Sequence, residues 1–256
     1  LQSYFGRANY VFSDKYLFEA NVRYDGSSRF KNDKWGLFPS FSAGWIISEE
    51  SFFNLPAIDF LKIRGSWGQR GNQNIGNFAY ARNLSLTQNY NFGGSIAQGV
   101  AQTSLGNPDL RWEVTTSSNI GINLHMFNAK LQIEADYFTR LTEDILFNVP
   151  VPNITGFGSQ ILNSAEVENR GWELGANYRE RVGNWTVSIG GNVTHVMNEV
   201  LRLNKTLSDE DVDRQIGGYT VLQPGSPINA FYGYQATGIF RSQAEFESAP
   251  DHSGIN

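Results

Sequence analysis

The ten residues Tyr16–Asp25, YLFEANVRYD, alternate with period two. On an extended backbone Tyr16, Phe18, Ala20, Val22 and Tyr24 project to one side, and Leu17, Glu19, Asn21, Arg23 and Asp25 to the other. The same split recurs along the chain. Leu131, Ile133, Ala135 and Tyr137 oppose Gln132, Glu134 and Asp136, while Trp172, Leu174, Ala176 and Tyr178 oppose Glu173, Gly175, Asn177 and Arg179. Trp185, Val187, Ile189 and Val193 oppose Thr186, Ser188, Gly190, Asn192 and Thr194, and Leu61, Ile63 and Trp67 oppose Lys62, Arg64 and Ser66. No useful length of sequence carries a 3.6-residue period. The fold class is all-β, with antiparallel strands running up and down.

Strand length and loop length narrow the architecture. Several alternating runs reach about ten residues, the length a tilted membrane crossing needs, against about 5–6 for an ordinary strand. Short connections at Ser13–Lys15, Phe127–Ala129 and Arg181–Asn184 alternate with long ones at Gly26–Trp35, Gln69–Asp109, Pro150–Glu168 and Leu201–Asn229. Ser48–Ala57 is intermediate, on the short side. Short turns at one rim and long loops at the other are the habit of outer-membrane barrels. Tyr16, Tyr24, Trp45, Trp67, Tyr137, Trp172, Tyr178 and Trp185 stand near strand ends on the apolar face, where amphipathic rings suit a hydrocarbon–headgroup boundary. The opposite face carries Glu19, Arg23, Lys62, Arg64, Glu134, Asp136, Glu173 and Arg179. A cation on the lipid side costs about 2–4 kcal/mol at the bilayer midplane, so these residues line a wet lumen. A soluble β-sandwich also hides one face of each strand; it fits the strand length and the loop asymmetry poorly.

Composition excludes several function classes. The 256 residues are 40% hydrophobic, 14% aromatic and only 18% charged, with 26 Gly and no Cys. A net charge of −5 and a pI near 5.3 argue against nucleic-acid binding, which needs clustered cations. Without Cys there is no disulfide, thiolate zinc site or Cys nucleophile. No apolar run approaches the roughly 18 residues of a membrane helix.

Nothing in the sequence reads as catalytic, and no cofactor is expected. His125 and His195 fall in strands, on the polar and apolar faces respectively, and His252 in the terminal loop. Asp209, Asp211 and Asp213 have calcium-loop spacing, but Arg214 stands where the turn needs Gly and Thr220 where the loop needs Glu. Five Asn-x-Ser/Thr sequons, at Asn83, Asn153, Asn184, Asn192 and Asn204, read as chance. An enzyme would require Glu134, Asp136 and Glu173 to cluster as working carboxylates. The segment Gln69–Asp109 is the best place for ligand contact. Its Asn72, Gln73, Asn74, Tyr80, Arg82, Tyr90 and Phe92 offer amides and flat rings suited to glycans or peptides. The alternative is a loop stabilised by its own side chains.

Several motifs carry a family resemblance. YDGSSRF (Tyr24–Phe30), LFPSFSAGWIISEESFF (Leu37–Phe53) and LKIRGSWGQRGNQNIGNFAY (Leu61–Tyr80) occur in order, followed by NPDLRWEVTTSSNIGINL (Asn107–Leu124), DYFTRLTEDILF (Asp136–Phe147) and ENRGWELGANY (Glu168–Tyr178). Over essentially its whole length the chain resembles the SusC/RagA-type TonB-dependent outer-membrane transporters of Bacteroidota. Broader TonB-dependent receptors tend to have Pro where Trp112 stands, so Trp112 favours the SusC-like branch. The resemblance implies a segment of about ten strands from a transmembrane barrel of about 22. It also implies that the plug domain, the signal peptide and the C-terminal closing strands lie outside residues 1–256, which form one barrel portion. It further implies import of glycans or other oligomers, with TonB energy passing through the plug and a SusD-like surface lipoprotein capping the long loops. The remaining expected partner is outer-membrane lipid. The contrasting reading, from another class, is a soluble or surface-anchored β-rich binding module.

Overall fold

The computed structural model describes residues 1–203, 214–236, 238–239 and 241–248. Eight long strands form one antiparallel sheet: β1 (Gln2–Phe12), β2 (Tyr16–Gly26), β3 (Trp35–Ile46), β4 (Ile58–Asn72), β5 (Glu113–Met126), β6 (Leu131–Pro150), β7 (Ser159–Val182) and β8 (Trp185–Leu203). Each strand pairs with its sequence neighbour, so the sheet order is the chain order. Against the ten or so strands expected, the other extended segments described are ladders of two or three residues each. β6, β7 and β8 have 20, 24 and 19 residues, about twice a membrane crossing. Half of the segment Pro150–Glu168, expected as loop, is therefore strand: Ser159–Glu168 pairs with the outer half of β6.

Register turns the alternation into faces. Tyr16 pairs with Trp45, Ala20 with Phe41, Phe41 with Trp67, Gly65 with Ile120, Ile120 with Tyr137, and Tyr137 with Trp172. One continuous apolar surface results, and it is exposed: Phe18, Phe41, Ile120 and Trp172 are all open to the surroundings. On the other face Arg64, Gly121 and Asp136 stand in one row across β4, β5 and β6, with Glu173 next on β7. A soluble sheet protein buries the apolar side; this sheet shelters the polar one.

The apolar face ends in two aromatic rows. At the short-turn rim Phe12, Tyr16, Trp45 and Phe52 follow one another at ring separations of 6.2, 6.3 and 6.5 Å. At the loop rim Tyr24 stacks on Trp35 at 4.8 Å, with Tyr4 on the far side of Trp35 at 6.3 Å. The short turns use left-handed backbone at Ser13 and Asp14, and again from Phe127 to Ala129. Asp59 steadies the second turn by accepting from the Ala129 N–H at 2.8 Å.

The buried apolar cluster lies under the long loops. Phe30, Phe38, Ile75, Leu110 and Trp112 form it, with Val114, Leu146 and Ile161 packed alongside. Trp112 is its hub, 5.2 Å from the Phe30 ring and 5.4 Å edge-on from Phe38.

Candidate functional site

The polar face of β1–β5 carries a trough built from three adjoining hollows of about 410, 340 and 420 Å³. At the short-turn end it is lined by Asn9, Glu19, Ser42, Lys62 and Arg64. The middle shares Glu19, Ser42 and Ser66 with that end and adds Asn21, Ser40, Gly68 and Ser117. The loop end is lined by Arg23, Asp25, Phe38, Arg70, Asn72, Gln73 and Trp112. Small residues keep the trough open. A Cβ at Gly68 would stand 2.6 Å from the Ser40 Cβ.

The wall is polar, and most of its charge is paired. Arg64 donates from Nη2 to Asp136 Oδ2 at 2.7 Å and from Nε to Asn123 Oδ1 at 2.9 Å. This pair passes over Gly121, where a Cβ would come within 2.4 Å of Asp136 Oδ1. Asn123 in turn donates to Glu134 at 3.0 Å. Glu19 accepts from Arg7 and Asn21, and Asp25 takes the Arg23 guanidinium at 2.8 and 2.7 Å. Asp136 is thus committed to an arginine and Glu134 to an amide. Among the described residues no group of three or more His, Asp and Glu is placed to hold a metal ion. His125 lies against Phe60 and His195 against Trp172. Asp209, Asp211, Asp213, Asn204 and His252 lie outside the described residues.

The NPDLRWE segment clasps the loop rim. Asn107 donates to the Ile161 carbonyl at 3.1 Å and accepts from the Asp109 N–H at 3.0 Å. Arg111 holds Asp144 through two hydrogen bonds of 2.8 and 2.6 Å. Asp144 sits at a break in the β6–β7 register with φ of 54°, a left-handed conformation that Asp tolerates better than most residues. Asn163 on β7 donates to the carbonyls of both Arg111 and Asp144. The Trp112 indole N–H reaches the Lys34 carbonyl at 3.3 Å. One short segment therefore ties the loops 27–34 and 73–112 to β6 and β7.

The candidate contact residues separate into three places. Asn72 lines the trough mouth; its amide donates to Glu113 at 3.0 Å and its carbonyl accepts from the Asn74 N–H. Tyr80 packs beside Phe78 at 6.2 Å, and Arg82 is exposed just beyond the turn 77–80. Tyr90 and Phe92 sit on a small hairpin of Tyr90–Phe92 with Ser95–Ala97, their rings 4.8 Å apart and open to the surroundings. The structure brings Asn72 and Asn74 together and leaves Tyr90 and Phe92 elsewhere. Arg23, Phe38, Arg70 and Trp112 at the mouth were not among the expected contacts. Alternation from Tyr24 and Trp67 carries the signal for Arg23 and Arg70.

At the short-turn rim Glu50 accepts from the Tyr16 hydroxyl at 2.6 Å, the Trp45 indole at 3.0 Å and Lys15 at 3.2 Å. These donors, the Tyr16 hydroxyl foremost, hold its carboxyl below the usual glutamate range.

An exposed apolar face edged by aromatic rows, a polar inner wall, short turns and long loops define an outer-membrane-type β-barrel wall. Residues 1–252 match the family described as TonB dependent receptor-like, beta-barrel. TonB-dependent receptor P39 of Formosa agariphila is 39% identical over 98% of this chain and 24% of its own length. TonB-dependent receptor SusC of Bacteroides thetaiotaomicron is 36% identical over 92% of this chain and 25% of its own. The solved RagAB peptide transporter superposes with a TM-score of 0.80 at 30% identity, over 90% of this chain and 25% of that one. The chain belongs to the TonB-dependent receptor family of outer-membrane proteins, in its SusC/RagA branch. It spans about a quarter of the length of the curated relatives it matches.

Proposed function

We propose that this chain is wall and outer loops of a TonB-dependent importer, integral to the bacterial outer membrane, that takes up oligomeric nutrients. The observation that carries this reading is the trough. It is a run of adjoining hollows from the loop rim to the short-turn rim, rich in amides, hydroxyls and charges. Val11 and Leu17 line one end and Phe38 and Trp112 the other, and the other face of the sheet is apolar and exposed. Glycans and peptides both suit its amides and hydroxyls, and a peptide-transporting relative has the same strand framework. Residues 1–256 serve as one barrel portion, while the remaining strands and a plug reached by TonB complete the protein. A SusD-like lipoprotein covers the loop rim, where Asn72, Asn74, Tyr80, Arg82, Tyr90 and Phe92 offer contacts to substrate. This reading assigns no enzyme activity: Asp136 is held by Arg64 and Glu134 by Asn123.

A soluble binding module is disfavoured by the apolar face. Phe18, Phe41, Ile120, Ile122, Trp172 and Leu174 would all meet water, an area that a soluble protein covers. The experiment is uptake of fluorescent oligosaccharides and peptides by cells with and without the gene. The account expects uptake that is lost on deletion and on collapse of the proton gradient. Uptake indifferent to both would overturn it.

A further inference from the structure

The charge inventory of the trough is uneven. Arg7, Arg23 and Arg64 each have a carboxylate, in Glu19, Asp25 and Asp136. Lys62 and Arg70 line the same trough and have no carboxylate partner among the described residues. Arg140 on β6 is exposed, rests 5.0 Å over the Phe138 ring, and also has no carboxylate among the described residues.

Position gives the unpaired cations meaning. Arg70 stands three residues beyond Trp67 on β4, and Arg140 three beyond Tyr137 on β6. Trp67 and Tyr137 belong to the apolar face, so both arginines fall on the polar face, on the loop side of those rings. Arg70 pairs in register with Thr115 and Arg140 with Ser117, two neighbouring polar-face positions of β5. The two guanidiniums thus flank a hydroxyl shelf, on strands two apart. Strand spacing puts their Cα atoms about 12 Å from each other. Of the carboxylates at this level, Glu113 is held by the Asn72 amide and the Leu146 N–H, and Asp25 by Arg23. Other exposed cations among the described residues also lack a carboxylate, but Arg70 and Arg140 lack one on the polar face, beside the trough.

We propose that the imported oligomer is an acidic saccharide, and that Arg70 and Arg140 take its carboxylate or sulfate groups at the outer mouth. Guanidinium forks bind planar or tetrahedral oxyanions through paired hydrogen bonds. Ser117 lies between them, and beside Arg70 the lining continues with Ser40, Ser42, Ser66, Asn21 and Asn119, which answer sugar hydroxyls, while Phe38 and Trp112 at the mouth offer flat faces for sugar rings. Lys62, eight residues down the same face of β4, continues the positive path inward.

This inference rests on the importer reading, and the test separates them. The full-length transporter, purified in detergent, is titrated calorimetrically with four probes: a short oligogalacturonate, its carboxyl-reduced neutral counterpart, a sulfated oligosaccharide and an acidic peptide. The expected result is that at least one acidic saccharide binds about tenfold or more tightly than the neutral one and weakens with salt. Arg70→Gln and Arg140→Gln each reduce that affinity about tenfold and narrow the gap between acidic and neutral probes. Arg70→Lys restores part of it. Equal binding of neutral and acidic saccharides, or tighter binding of the acidic peptide, overturns the proposal. So does an Arg70→Gln variant that raises ion conductance across planar bilayers without changing binding, because Arg70 then holds another part of the protein. Import of neutral oligomers alone sinks this inference and leaves the importer standing; import of none sinks both.

Discussion

Trp112→Ala is the substitution that most directly challenges the clasp. Trp112 is 6% exposed, and its ring fills the space between Phe30 and Phe38. Emptying a site of that size costs about 3–5 kcal/mol, of which the two ring pairs supply about 0.5–1.5 each. Its indole N–H also holds the Lys34 carbonyl at 3.3 Å, a bond worth about 1 kcal/mol net. Trp112→Phe keeps an aromatic ring and loses that bond, so its cost falls nearer 1–2 kcal/mol. The effect is local to the loop rim. The assay is therefore hydrogen exchange on the full-length protein, following the amides of residues 27–34 and 73–112. Trp112→Ala should accelerate exchange in both segments by roughly two orders of magnitude or more, in step with its cost, and Trp112→Phe by about one. The short-turn rim should not change. Equal effects from the two variants, or none from Trp112→Ala, would refute the claim that one buried ring fastens both loops.

Other expectations follow from the faces and rims. Ile122→Arg, on the apolar face, should cost about 2–4 kcal/mol in liposome folding titrations, and Gln132→Arg on the polar face about nothing. Gly121→Ala should displace the Arg64–Asp136 pair at a cost of about 1–3 kcal/mol. Adding Asp136→Ala should then cost less than it does alone, as a double-mutant cycle would show. The Glu50 carboxyl lies below its unfolded value of 4.5. Its contribution is therefore fully present above that value and is lost as pH falls through the folded one. Glu50→Gln should flatten the acid side of a plot of urea midpoint against pH, leaving the neutral side parallel to wild type.

Much of this was legible in the residues, and the reasons differ by region. A period of two leaves no freedom about faces: once Tyr16 and Tyr24 share a side, so do Phe18 and Val22, and the register confirms it strand by strand. The loop rim is different. Ser159–Glu168 looked like loop because the outer halves of β6 and β7 lie past the apolar band, where no hydrophobic alternation is demanded. Nothing in sequence marks Asn163 as the amide that joins Arg111 to Asp144, since 52 residues separate it from Arg111. Tyr90 and Phe92 suggested ligand contact by type, yet their three-residue strand turns back on Ser95–Ala97 and carries both rings onto a separate hairpin. Arg70 was within reach. Counting by twos from Trp67 puts it on the wet side, although the run of turn-forming residues from Gln69 onward reads as loop.

The central claim is that one face of this sheet meets lipid and the other a wet lumen. Residues 1–256 hold no cysteine; in the whole transporter, with any cysteine elsewhere replaced, single cysteines can be placed along β2 at Phe18, Glu19, Ala20, Asn21 and Val22. Each is then labelled in outer membranes with a water-soluble thiol reagent and with a bilayer-confined one. The account predicts strict alternation, with positions 18, 20 and 22 reacting from the bilayer and 19 and 21 from water. Labelling of all five positions from water would contradict it.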